Sequence, residues 1–218
     1  MLRDAVPYLA THGLRPLQRF FPDMLWRMDV PDGDRVAYLT FDDGPHEGIT
    51  SRLLDVLEKH GAQATFFLVG ANAKNHPQIV RDVSAAGHTV GNHTFTHPDA
   101  WTLSARDLTN ELDRTTQTLE QIVGRRVRVM RPPYGHPTGT MRRWCDARRQ
   151  RMVMWDVMPG DYLRTATHRD VERFVVRHTQ PGSIIVLHDN PICQELTPTA
   201  LDDILSNLTA EGWSFPAL

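Results

Sequence analysis

Histidine and aspartate are the residues of this sequence best placed to do chemistry, and they come in pairs. His93-Thr94-Phe95-Thr96-His97 sets two imidazoles four residues apart, a spacing that on one helical turn or in a tight loop lets both face one point. Two histidines and one carboxylate form a common catalytic metal set that leaves a position for water. Asp42-Asp43 offers two carboxylates in different orientations. One can ligate an ion while its neighbour stays free to take a proton from water, and one ion plus a poised base is the minimum for metal-assisted hydrolysis. Taken singly, each pattern also has a plain structural explanation. The histidines fit an exposed loop that runs into Pro98, and Asp-Asp-Gly-Pro is well suited to a turn.

Such groups act together only if the chain carries them to one place. Val36 to Phe41 reads as a buried strand that ends at the Gly44-Pro45 breaker. Thr50 then looks like the N-cap of a helix with Leu53, Leu54 and Leu57 on one face, stopped by Gly61. Further strands are predicted at Thr65 to Val69, His88 to Val90, Val127 to Met130, Met152 to Trp155, Ile184 to Leu187 and, briefly, Trp213 to Phe215. Between them lie helices over about Gln78 to Ala86, Ser104 to Val123, Met141 to Arg149, a segment with Val171, Phe174 and Val175 inward, and a last one around Leu201 to Leu208. The Ser104 helix is the clearest: Leu108, Leu112, Leu119 and Ile122 share a face and Gly124 stops it. Seven strands alternating with helices imply a parallel α/β sheet, open or closed into a barrel, with chemistry at the carboxyl ends of the strands. That is where the polar residues fall. Asp42 and Asp43 follow the first strand, His93 and His97 the third, Arg131 the fourth, Asp156 and Asp161 the fifth, and His188-Asp189 the sixth.

Composition removes several classes of function. A chain of 218 residues favours one large domain over two small ones, and no Pro/Ser-rich linker or repeat divides it. A formal net charge of −2 gives no reason to expect a polyanionic partner, so nucleic acid is not expected. No run of about 18 apolar residues occurs, so no transmembrane helix is expected. His12, Arg15, Arg19 and Asp23 interrupt the N-terminus where a signal peptide would be apolar. The expectation is therefore a cytoplasmic protein, with extracellular or envelope action requiring another export route. Cys145 and Cys193 cannot build a disulfide framework, and neither follows a glycine-rich elbow.

Read in order, five segments resemble the motifs of the polysaccharide deacetylase family, the NodB-homology domain or family 4 carbohydrate esterases. They are Thr40-Phe41-Asp42-Asp43-Gly44-Pro45, His93-Thr94-Phe95-Thr96-His97, Arg131-Pro132-Pro133-Tyr134-Gly135, Trp155 with Asp161, and Leu187-His188-Asp189. The resemblance runs from about Val36 to Phe215 and implies a distorted seven-stranded (β/α) barrel, in line with the strand count. It implies a divalent metal, usually Zn2+ and sometimes Co2+ or Ni2+, held by Asp43, His93 and His97. Asp42 would be the general base, with Arg131 holding its carboxylate. His188 would be the acid that protonates the departing amine, paired with Asp161. An imidazole of pKa near about 6.5 needs such a carboxylate to stay charged at neutral pH. The backbone N–H of Tyr134 would complete an oxyanion hole, and Trp155, Val186 and Leu187 would line an apolar pocket for the acetyl methyl. Two positions depart from the family pattern: Tyr162 stands where tryptophan is usual, and Val186 where leucine is usual.

The expected function is metal-dependent removal of N-acetyl groups from N-acetylglucosamine-containing glycans or oligosaccharides, of chitooligosaccharide or peptidoglycan type, with release of acetate. O-deacetylation of acetylated xylan, metal-independent amide hydrolysis and non-catalytic glycan binding are the alternatives. The intact Asp43, His93 and His97 set speaks against the second, and retention of both Asp42 and His188 against the third. Residues 35–218 are expected to form the catalytic domain. Residues 1–34 are expected to be a short helical extension packed on the barrel, with Leu17, Phe20, Phe21, Leu25 and Trp26 as its apolar side. His46 and His136 follow motifs and belong near the rim. His12, His60, His76, His88, His168 and His178 are expected at the surface or in packing, and Asp156 and Asp189 as strand-end caps.

Overall fold

The computed structural model describes residues 5–13 and 20–218. Seven parallel strands form one sheet in the order β1-β6-β5-β4-β3-β2-β7. They are β1 (Met24–Leu25), β2 (Tyr38–Asp42), β3 (Ala64–Leu68), β4 (Thr89–Asn92), β5 (Val129–Met130), β6 (Arg151–Val153) and β7 (Ile184–His188). Helices α1 (Ala5–Tyr8), α2 (Ile49–Lys59), α3 (Gly70–Asn75), α4 (Pro77–Ala85), α5 (Ala105–Val123), α6 (Gly139–Arg148), α7 (His168–His178) and α8 (Leu196–Ala210) accompany them.

β2 and β3 are buried along their whole length, as parallel strands covered on both faces must be. Alternation sorts their side chains into two cores. Leu39, Phe41, Phe66, Leu68, Ile185 and Leu187 pack beneath Leu53, Leu57, Leu201 and Leu205 of the helices. Their strand neighbours Tyr38, Phe67, Ile184 and Val186 join Met130, Met152 and Trp155 in the second core. α5 begins where Ser104 accepts from the Asp107 N–H and ends at Gly124 in the left-handed conformation. A reciprocal Thr167/Asp170 capping box starts α7.

Three expectations are corrected. Thr50 is not an N-cap: α2 begins at Ile49, and the buried Thr50 hydroxyl donates instead to Asp189 Oδ2 at 2.6 Å. Residues 213–215 form no strand, because Ser214 makes a single bridge with Val36. The seventh strand is Met24–Leu25, from the segment before residue 35, paired with β6. A two-residue strand carries no readable period. Phe21, Leu25 and Trp26 pack against the second core while Phe20 is exposed; Leu17 and the His12 side chain lie outside the described residues.

The same segment joins the two edges of the sheet. Met154 N donates to Leu25 O at 2.7 Å, Met28 N donates to Gly182 O at 2.9 Å, and Arg27 bridges Ser183. Asp156 completes the seam, accepting from Ile184 N at 2.7 Å and Ser183 Oγ at 3.0 Å. Among the described residues no helix is long and apolar enough to cross a membrane, and both cysteines are buried.

Gly182 lies at the tightest point of this seam. Its φ is +84° and a Cβ there would run into the Met28 carbonyl oxygen, whereas Gly212, also at +84°, has open space around it. Gly212→Ala should cost about 1–2 kcal/mol for the left-handed backbone alone. Gly182→Ala should cost clearly more, read as a larger drop in the urea midpoint; equal losses would show that the seam carries no stability.

Candidate active site

Parallel strands bring their carboxyl ends to one rim, and the site is built there. Asp42 and His188 are the last residues of the adjacent strands β2 and β7, whereas His93 and Arg131 directly follow β4 and β5. A cavity of about 350 Å³ opens between them. Its wall includes Asp42, Asp43, His93, His97 and His188, with Tyr134, Trp155, Tyr162 and Val186 beside them.

Arg131 is completely buried and donates to Asp42 Oδ1 at 2.8 Å. That leaves Asp42 Oδ2 on the side of the imidazoles, 3.9 Å from His93 Nε2. Asp43 turns the other way, because its backbone has a φ of +80°. Its Oδ1 lies 3.2 Å from His97 Nε2 and 3.6 Å from His93 Nε2. Burial alone would raise the Asp43 carboxyl, but hydrogen bonds with His93 and His97 outweigh it and hold the group well below the usual carboxylate range.

These three residues fit a metal ion. Their ligand atoms lie within 4.8 Å of one another. Atoms about 2.0–2.2 Å from a common tetrahedral centre stand roughly 3.3–3.6 Å apart, close to the 3.2 and 3.6 Å that separate Asp43 Oδ1 from the two imidazole nitrogens. The outer contacts agree. His93 Nδ1 lies 2.8 Å from the Arg131 carbonyl, which leaves Nε2 as the ligating nitrogen, and Asp43 Oδ2 accepts from Asn190 Nδ2 at 2.8 Å.

The His93–His97 segment is neither a helix nor a free loop. Thr94 and His97 both have positive φ, 63° and 57°, and the turn is held from outside. Glu111 Oε2 accepts from Phe95 N at 2.8 Å and Thr96 N at 2.7 Å, while Asn92 Oδ1 accepts from Thr94 N at 2.8 Å. Sequence reasoning missed Glu111, although an acid beside Leu108 and Leu112 on the buried face of α5 was a signal. It missed Asn190 and Thr197 as well, and nothing local marks them.

On the opposite wall His188 Nδ1 lies 2.8 Å from Asp161 Oδ1. Asp161 Oδ2 is held by the His188 N–H at 2.7 Å and the Thr197 hydroxyl at 2.8 Å. Burial by itself would lower the His188 imidazole. The Asp161 charge and hydrogen bond outweigh it, with Asp43 and Asp42 adding to them, and push the group up to about 9. Tyr162 sets its ring edge-on to His188, with centroids 5.0 Å apart. Tyr134, at φ +58°, meets His97 edge-on at 4.7 Å. The Trp155 indole N–H is buried in the wall with no hydrogen-bond partner.

Leu187 is the predicted site residue that the structure keeps apart. Alternation places Val186 in the cavity wall and turns Leu187 to the helix-facing core. His46 hydrogen-bonds through its backbone with Thr50 and lies outside the cavity wall, and His136 lies beyond Tyr134 at the rim.

A parallel barrel with an acid pair, two imidazoles and a third, carboxylate-paired histidine on one rim has the makings of a hydrolytic enzyme. The polysaccharide deacetylase family model matches residues 29–150, and the chain belongs to that family. It is 33% identical over 181 residues to the peptidoglycan-N-acetylglucosamine deacetylase of Bacillus cereus, a match covering 83% of this chain and 66%, just under two thirds, of that protein. It is 39% identical over 164 residues to a chitooligosaccharide deacetylase of Sinorhizobium fredii, covering 75% of this chain and 76% of the relative. The crystal structure of the Bc1960 peptidoglycan N-acetylglucosamine deacetylase in complex with 4-naphthalen-1-yl-N-oxidanyl-benzamide superposes with a TM-score of 0.85 at 30% identity, over 90% of this chain and 91% of that one.

The charge on His188 depends on Asp161. In Asp161→Asn the imidazole loses its main raising partner while burial continues to lower it, so its pKa should fall far below about 9. An NMR titration of the imidazole resonances reads this directly; an unmoved titration would show that Asp161 is not the controlling charge.

Proposed function

We propose that the protein is a metal-dependent deacetylase that hydrolyses the N-acetyl group of N-acetylglucosamine units in glycans or oligosaccharides of chitooligosaccharide or peptidoglycan type. The observation that carries this reading is the convergence on one cavity of an Arg131-held carboxylate, an Asp-His-His ligand set and an Asp161-paired imidazole. Family membership and the names of the two relatives support the substrate class. Asp43, His93 and His97 would hold a divalent ion, Zn2+ by the chemistry of the donors, with Co2+ or Ni2+ as substitutes. When bound, the ion supplies a Lewis acid for the acetyl carbonyl and lowers the pKa of water.

The chain's own residues do the rest. Arg131 occupies Asp42 Oδ1, so Oδ2 faces the cavity and takes a proton from the attacking water. The water oxygen bonds to the acetyl carbon as the carbonyl becomes an oxyanion, which the Tyr134 N–H stabilises. His188, with Nδ1 committed to Asp161, gives a proton from Nε2 to the amide nitrogen. The C–N bond then breaks, and the products are acetate and a free amine. Val186 and Trp155 offer an apolar wall for the methyl group, and the unpartnered Trp155 N–H a donor for a substrate oxygen.

Acetate release from N-acetylglucosamine oligomers and peptidoglycan fragments, measured with metal-loaded protein, tests the reading. Turnover should vanish with chelator and return with Zn2+. Asp42→Asn should lower kcat by at least about a thousandfold while elemental analysis still finds the metal, because general-base transfer and the charge that orients it are both lost. His93→Ala should lose the metal itself, and full occupancy in that variant would contradict the ligand assignment. Release of acetate from acetylated xylan but from no N-acetyl substrate would move the protein to O-deacetylation.

A further inference from the structure

Six large hydrophobic side chains are exposed among the described residues: Tyr8, Leu9, Phe20, Trp101, Tyr134 and Ile192. Tyr134 forms part of the cavity wall, and Ile192 follows the wall residue Asn190 by two positions. Trp101 is 64% exposed, and a chain of rings connects it to the site. His97 meets Tyr134 at 4.7 Å, Tyr134 meets His136 at 5.9 Å, and His136 lies flat on Trp101 with centroids 3.6 Å apart and planes within 2°.

We infer that Trp101, backed by His136, is a carbohydrate-stacking platform that holds the sugar next to the one being deacetylated, which makes oligosaccharides better ligands than single sugars. This rests on the glycan-deacetylase reading for its substrate.

The platform is built rather than incidental. Asp99 fixes both rings. Its Oδ1 accepts from Trp101 N at 3.0 Å and lies 2.9 Å from His136 Nδ1, while the indole Nε1 donates to Pro137 O at 3.3 Å. The indole is thus held at its backbone, its ring nitrogen and one face, and the opposite face remains toward solvent. A side chain that served only to pack these loops together would be buried by them. A pinned, outward aromatic ring instead loses little entropy when a ligand covers it. Its electron-rich face complements the axial C–H face of a pyranose, an apolar surface with polar hydroxyls at the edge. The two segments that carry the platform, Asp99 to Trp101 and His136 to Pro137, are continuations of those that carry His97 and Tyr134. A sugar on Trp101 is therefore registered against the reacting centre by the same backbone.

The test is isothermal titration of the zinc-loaded Asp42→Asn protein with the N-acetylglucosamine tetramer and with monomeric N-acetylglucosamine. Adding Trp101→Ala should reduce the ratio of tetramer to monomer affinity about tenfold, the size expected of one aromatic stacking contact with its buried area. Trp101→Tyr should restore most of it, and thermal melts check that each variant folds. An unchanged ratio, or a parent protein that does not bind the tetramer, overturns the platform. Acetate release by the wild type separates the two claims. Tetramer binding that depends on Trp101 without acetate release keeps the platform and removes the deacetylase reading; acetate release with an unchanged ratio does the reverse.

Discussion

A guanidinium with no access to water is the constraint around which this site is arranged. Arg131 donates through Nη1 to Asp42 and to the Thr40 hydroxyl, and through Nε and Nη2 to the carbonyls of Val153 and Met154. Its own backbone N–H is held by Asn92 O, its carbonyl meets His93 Nδ1, and Phe67 lies under the guanidinium at 4.3 Å. One side chain thus ties β2 to the end of β6, and its main chain ties β5 to β4. Taking an ion from water costs several kcal/mol even after relaxation, so such a charge persists only with its partners in place. Loss of either partner leaves the other charge buried and uncompensated. A sheet that slid in register would break these contacts together, so the residue that restrains the Asp42 carboxylate also fixes the strand ends beneath the cavity.

Carboxylates crowd around this cation. Asp42, Asp43, Asp161 and Asp189 all lie beneath the rim, and each is given a different environment. Asp42 faces a permanent cation. Asp43 faces two imidazoles that can hand their role to a metal ion. Asp161 charges His188. Asp189 has no such partner: burial, and then the Asp43 charge, push it up to about 7 despite the Thr50 hydroxyl bond, and its Oδ1 is unsatisfied. Gly44 leaves the space that the Asp189 carboxyl occupies. Two carboxylates on one rim are thereby driven in opposite directions, Asp43 well below the usual carboxylate range and Asp189 above it.

The strand-end positions of Asp42, His93, Arg131 and His188 were legible because buried parallel strands are continuous apolar runs whose ends stand out. The turn between His93 and His97 was not, because two positive-φ residues and a carboxylate from α5 create it, and Glu111 is 15 positions from the nearest N–H that it holds. Asn190 and Thr197 escaped for the same reason: tertiary placement alone brings them to Asp43 and Asp161. Met24–Leu25 was hidden by brevity, and its partner β6 lies more than a hundred residues away. Leu187 is a different kind of error. Period-two alternation, applied strictly to a strand ending in His188, already assigns Val186 and His188 to one side and Leu187 to the other.

Among the described residues, four of the five non-glycine residues with positive φ are Asp43, Thr94, His97 and Tyr134, all in the cavity wall or in the turn that carries its imidazoles. Each such conformation costs on the order of 1–3 kcal/mol, so the surrounding structure must over-determine it. Asn190 supplies that support to Asp43, and Glu111 and Asn92 supply it to the turn that leads on to Trp101. His97 and Trp101 therefore sit on one braced segment. On the proposed function, energy gained by a sugar on the ledge would be transmitted as position at the acetyl group, and binding that restricted the approach of the amide to Asp42 and His188 would lower the barrier as well as the dissociation constant. A rim that spent the same strain on flexible loops would bind glycans without directing them.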